Sequence, residues 1–207
     1  AWKWLALSIH RPITMKNVYS FITQWKNVFK FNALPKDSKS IVFYSEGKSS
    51  SPHLCPLIQK LIDRGHDVQL LMSDKDDPLA GLTARDATVI SHWIGSGSAR
   101  TWVYSNLQAC IFITTTPDLE TMQLKRSKGD AYYVYTHHSM ISTHMGYRPG
   151  AFDHFDAILC TGPYQVEETR AHESRSKLPA KKLVEVGYFR LDELRSSSRI
   201  RTISDST

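Results

Sequence analysis

The chain has 207 residues and a net charge of +6, with a pI near 9.2. That length builds a substantial core without disulfides, and no apolar run approaches the ~20 residues needed to span a bilayer. The basic excess points to an anionic partner. The choice is a phosphate-bearing substrate or an anionic lipid rather than nucleic acid, because the cations are scattered and no RNA-binding signature, zinc knuckle or helix-turn-helix pattern occurs.

The first 31 residues interleave Trp2, Trp4, Phe21, Trp25, Phe29 and Phe31 with Lys3, Arg11, Lys16, Lys26 and Lys30. From Asn17, the spacing of Val18, Phe21, Ile22, Trp25, Val28 and Phe29 fits one face of a helix. A basic helix with aromatic residues on its apolar face has the composition of a membrane-surface anchor. The same face could instead pack on the domain's own sheet. Residues 1–34 are therefore expected to form a basic, amphipathic helical segment.

After a linker at Pro35–Ser40, strand and helix patterns alternate. Ser40–Ser45, Val68–Met72, Ala87–Ser91, Ala109–Thr114, Ala131–Thr136, Asp156–Thr161 and Leu183–Gly187 read as strands. His53–Arg64, Trp102–Leu107 and Tyr164–Lys177 read as helices, the first stopped by Gly65. Near-continuous apolar strands separated by helices predict an α/β fold with a doubly wound, mainly parallel, Rossmann-like sheet over residues 40–194. Residues 195–207 read as a loop-like Ser/Arg-rich tail or linker. A start on Ala rather than Met and this ending predict a piece of a longer protein. Cys55, Cys110 and Cys160 form no Cys-x-x-Cys pair and fall in predicted element interiors, which predicts reduced core thiols and a cytoplasmic setting.

In a parallel sheet the carboxyl ends of the strands share one rim, where ligands gather. The ends here are Glu46-Gly47-Lys48, Ser73-Asp74, Ser91-His92, Thr114-Thr115-Thr116, His137-His138 and Thr161-Gly162-Pro163. Gly47 and Gly162 each precede a helix N-terminus, which favours a phosphate or carboxylate. No dinucleotide or P-loop glycine pattern is present. His137, His138, His144 and His154, with Asp153 and Asp156, are the candidate chemistry. A metal is not expected, because successive residues on an extended segment point their rings apart. A neutral imidazole at a strand end, with a carboxylate to fix its tautomer, is suited to general-base work. Near the end, Arg190 stands two residues before Asp192, as a structural ion pair or a phosphate contact.

Three segments resemble, in order, the first half of the bacterial CDP-glycerol glycerophosphotransferases, the teichoic-acid polymerases and primases. They are Tyr135-Thr136-His137-His138-Ser139, Phe152-Asp153-His154-Phe155-Asp156 and Gly187-Tyr188-Phe189-Arg190-Leu191-Asp192-Glu193-Leu194. The family pattern is Trp-His-Gly-Thr followed by Gly-x-Pro-Arg-x-Asp-x-Leu. Here Thr136 or His137 stands for the Trp, Ser139 for the Gly and Phe189 for the Pro, and the family's downstream Lys is missing.

The resemblance implies the N-terminal, acceptor-side domain of a two-domain glycosyltransferase-B fold. A CDP-activated donor would bind mainly in a second domain, and a lipid-linked or polymer acceptor would be used at the inner face of the cell membrane. No cofactor is implied. It assigns His138 as catalytic base and His137 as a residue that orients the base or holds phosphate. Glu46, Gly47, Lys48, Gly162 and Arg190 become phosphate or substrate contacts, with Asp153, Asp156 and Asp192 in support. Other readings are a sugar transferase or nucleotide-sugar epimerase of the same fold, and a non-catalytic membrane-associated binding domain.

Overall fold

Strands that are apolar on both faces must be covered on both faces, and the central ones are. The structure, a computed structural model, describes residues 15–82, 88–121 and 124–204. Its centre is a parallel sheet of seven strands: β1 (Ile41–Ser45), β2 (Val68–Met72), β3 (Val89–Trp93), β4 (Ile111–Thr114), β5 (Tyr132–Thr136), β6 (Ala157–Cys160) and β7 (Lys182–Glu185). Their spatial order is β3-β2-β1-β4-β5-β6-β7, and every pairing is parallel. This is a Rossmann-like, doubly wound α/β fold. The chain winds outward from β1 to β3, returns to the centre and winds out the other way from β4. The crevice between the carboxyl ends of β1 and β4 is thus the topological switch point.

Alternation along β1 divides the interior in two. Val42 and Tyr44 face a larger cluster with Val28 and Phe31 of α1 (Met15–Asn32), Ala99, Val103 and Tyr104 of α3 (Ser98–Ser105), and Tyr133 and Tyr135 of β5. Four rings step through it, Tyr44–Tyr104 at 5.2 Å and Tyr104–Phe112 at 5.3 Å edge-on and Phe112–Tyr133 at 5.2 Å tilted. Phe43 faces the smaller cluster, with Leu54, Ile58 and Ile62 of α2 (Ser51–Ile62) and Val68 and Leu70 of β2. Gly65, at φ +79°, ends α2 in the left-handed region, and the His66 N–H turns back to the Leu61 carbonyl at 3.1 Å. The remaining helices are the single turn α4 (Thr143–Gly146), α5 (Pro163–Ser176) and α6 (Phe189–Ser204).

Several expectations are corrected. The third strand runs to Trp93, so Ser91-His92 lies inside it rather than at its end. His92 is buried because the α1 ring Phe31 covers it at 5.4 Å and Gln69 Oε1 accepts from its Nε2 at 2.9 Å. The proposed start of that strand, Ala87, lies outside the described residues. The Ser/Arg-rich ending is helical to Ser204 rather than loop-like. Cys110 is exposed just before β4, whereas Cys160 is buried and its thiol is pushed up to about 11 by burial. In α1, Val28 and Phe31 turn inward and Trp25 packs on Trp102 at 6.1 Å. Val18, Phe21, Ile22 and Phe29 of the same periodic set stay exposed. Trp2, Lys3, Trp4 and Arg11 lie outside the described residues.

Candidate functional site

The rim over β1, β4 and β5 is built first by a buried carboxylate. Asp77, just before the 3-10 turn Pro78–Gly81, accepts from the hydroxyls of Ser45 and Ser51, each at 2.6 Å, and from the Leu79 N–H at 2.9 Å. Ser45 ends β1 and Ser51 begins α2, so Asp77 holds both ends of the turn that carries Glu46, Gly47 and Lys48. Gly47 sits at φ +142°, and a Cβ there would lie 3.0 Å from the Cβ of Asp74. Only glycine fits that backbone and that approach. Glu46 and Lys48 are exposed above the turn, and Glu46 Oε1 lies 4.0 Å from Arg100 Nη1.

His138 follows β5, one strand from the switch point. Its imidazole is half-buried, and burial holds its pKa below the ordinary value. The Glu46 carboxylate and a hydrogen bond to the Thr115 carbonyl oppose that shift. Its Nδ1 is 3.4 Å from the Tyr135 hydroxyl, which in turn donates to the Tyr147 hydroxyl at 3.3 Å. The carboxylate expected to orient it is replaced by a main-chain carbonyl, which can fix a tautomer equally well.

Three residues not singled out for the site converge on it. His53, in the first turn of α2, places its ring 6.0 Å from that of His138 and stacks on Tyr188 at 5.8 Å. Phe189 meets His53 edge-on at 6.1 Å, and the Tyr188 hydroxyl donates to the His138 carbonyl at 3.3 Å. Burial first, then the charges of His138 and Arg190, lower the pKa of His53. A cavity of about 330 Å³ opens here between α2 and the Val186–Phe189 segment, with Lys60 on its wall. Two neutral imidazoles beside an exposed lysine and Arg190 form a site able to accept a proton and hold an anion.

The other expected residues divide. Arg190 is near this group, but its guanidinium pairs with Glu193 at 2.8 Å, one residue beyond the expected Asp192. Asp192 is exposed. Gly162 caps α5, whose buried Gln165 donates to the Ser139 and Ile141 carbonyls, each at 3.3 Å, so this helix end rests on the segment that follows His138. His137 is 3 % exposed, with Tyr135, Phe152 and Tyr147 around its ring, and neither nitrogen has a hydrogen-bond partner among the described residues. It lies in the wall of the cavity beside His53, buried beneath the open rim.

Asp153 and Asp156 are turned elsewhere. Asp153 pairs with His172 at 2.9 Å. Asp156 binds Arg126 at 2.8 Å and the Tyr133 N–H at 2.7 Å, at the amino end of the sheet. Neither supports His138. No group of three or more His, Cys, Asp and Glu side chains converges on a metal position among the described residues. Compared with protein-family models, curated proteins and solved structures, the chain matches none.

Proposed function

We propose that this domain is the acceptor-side half of a glycerophosphotransferase-like enzyme that moves an alcohol phosphate from a CDP-activated donor to a hydroxyl acceptor. The observation that carries the reading is the placement of His138. It is a half-buried, neutral imidazole at the carboxyl rim, held by the Thr115 carbonyl beside the switch point. Two of the three segments that resemble the glycerophosphotransferases meet there, since the Tyr188 hydroxyl donates to the His138 carbonyl and Arg190 is close enough to act on His53 by its charge.

In this mechanism His138 takes the proton of the acceptor hydroxyl. The acceptor oxygen then forms a bond to the β-phosphorus of the donor, the bridging α–β P–O bond breaks, and CMP leaves with the electron pair. Positioning and charge supply most of the rate in such transfers. Lys48, Lys60 and Arg190 are the cations available to the phosphates.

A membrane-borne acceptor suits α1. Its outer face exposes Met15, Val18, Tyr19, Ile22 and Phe29 beside Lys26 and Lys30, a stripe suited to an anionic lipid surface. No helix among the described residues is long and apolar enough to cross a membrane.

The test is CMP release by the full gene product from CDP-glycerol or CDP-ribitol, with the acceptor on anionic vesicles or free in solution. Acceptor-dependent release that falls about 10²–10⁴-fold in His138→Ala is expected. Stimulation by vesicles should be lost in Ile22→Glu. Full activity in His138→Ala sinks the assignment of the base. Turnover of a UDP- or GDP-sugar, with silence from both CDP donors, replaces the phosphotransferase with a sugar transferase.

A further inference from the structure

A second cavity, of about 340 Å³, lies away from the rim between the Thr143–Asp153 segment and α5. Its volume is within the range of small-molecule sites, roughly 300–1,000 Å³. Pro149, Ala151, Phe152 and the ring of Tyr147 supply apolar walls.

The charges on the walls are unequally committed. All three carboxylates are taken by the protein itself. Asp153 holds His172 at 2.9 Å. Glu168 accepts from the Thr143 N–H at 2.5 Å and its hydroxyl at 2.6 Å. Glu173 accepts from Arg170 at 2.5 Å and from the Lys181 N–H at 2.9 Å. Among the cations, Arg148 is paired with Asp118. The ammonium of Lys181 and the guanidinium of Arg175 have no partner among the described residues. Lys181 is only 8 % exposed. Its stem is buried while its ammonium keeps solvent contact at the cavity wall, so both unpaired cations are open to an anion that enters the cavity.

We propose that this cavity binds a small organic anion, with its phosphate or carboxylate on Lys181 and Arg175 and its apolar body against Tyr147 and Phe152. The walls connect it to the rim. Tyr147 and Phe152 pack on His137 at 6.0 and 5.3 Å, and the Tyr147 hydroxyl accepts from Tyr135, the neighbour of His138 Nδ1. Binding itself does not depend on His138 being a catalytic base.

The probe is phenyl phosphate, titrated into the full chain near neutral pH and followed by calorimetry and ligand-observed NMR. Inorganic phosphate and benzyl alcohol serve as its separate halves. Phenyl phosphate is expected to bind at least about tenfold tighter than either half. Lys181→Met, which keeps the buried stem, and Arg175→Glu, at an exposed position, should each weaken it by about tenfold or more. His138→Ala should leave the affinity unchanged. The inference is overturned by no binding at about 10 mM, or by equal affinity in Arg175→Glu. It is equally overturned if His138→Ala is the variant that loses binding, because the ligand then sits on the rim.

Discussion

Replacing Asp77 by Ala is expected to lower the unfolding free energy by roughly 4 kcal/mol and the melting temperature by about 10 °C. The carboxylate is 3 % exposed and receives two hydroxyls and one N–H. Removing it leaves the Leu79 N–H unsatisfied and the Ser45 and Ser51 hydroxyls with only the Gly47 carbonyl, at 3.3 and 3.0 Å, to share between them, so charge-assisted bonds are lost and a buried donor is stranded. Asp77→Asn keeps one acceptor oxygen and should lose about half as much. Thermal and urea unfolding of both variants measure this. A loss below about 1 kcal/mol in Asp77→Ala would mean that water or neighbours take over all three donors. The turn carrying Glu46, Gly47 and Lys48 should loosen with it, because Ser45 and Ser51 anchor that turn at both ends.

Acid should destabilise the fold well before the carboxylates titrate. His92 and His137 are buried, and burial pushes each down to about 4; the nearby Lys30 adds to the shift of His92 and His138 to that of His137, which Glu168 opposes. The unfolded chain restores both to about 6.5. Between those values the unfolded state binds more protons, so stability is complete above about pH 6.5 and falls as the pH drops towards 4. Each histidine should cost roughly 2 kcal/mol by pH 5 and about 3 kcal/mol by pH 4 and below. Urea unfolding at about pH 7 and pH 5 reads the difference, and His137→Phe should remove close to half of it. An unchanged pH dependence in that variant would place the acid sensitivity elsewhere.

The strands were largely legible because burial on both faces leaves continuous apolar runs. Val68–Met72 matches its predicted bounds, and β1, β5 and β6 lie within a residue of theirs. Elements that depend on tertiary cover were not. Residues His92 and Trp93 look polar or terminal in sequence, yet they complete β3 under α1. In α6 the run of Ser and Arg shows no apolar period, so nothing local marks a helix. The α1 pattern had the right period but not the right inward face, since packing on α3 selects Trp25, Val28 and Phe31 from a helix with aromatic residues on more than one side.

The position of His138 at the carboxyl rim was legible from its place after an apolar strand. His53 and Tyr188 were not, because they lie 85 and 50 residues from His138 and meet it only through the strand order. Asp153 and Asp156 misled for the opposite reason. They follow His138 closely in the chain, but the intervening segment crosses to the amino end of the sheet before β6 begins.

The unequal division of the interior bears on how the molecule breathes. The smaller hydrophobic cluster holds α2 against β1 and β2, whereas α1 and α3 share the larger one with most of the sheet. Local opening draws on the regions with least buried contact, so the short α3, which buries Ala99, Val103 and Tyr104, should exchange its amide hydrogens faster than the longer α2, which buries Ser51, Leu54, Ile58 and Ile62, under native conditions. Hydrogen-exchange mass spectrometry would record this, and equal protection of the two helices would contradict it. His53 rides on α2, so the wall that it gives the site stays closed while the opposite side of the sheet opens.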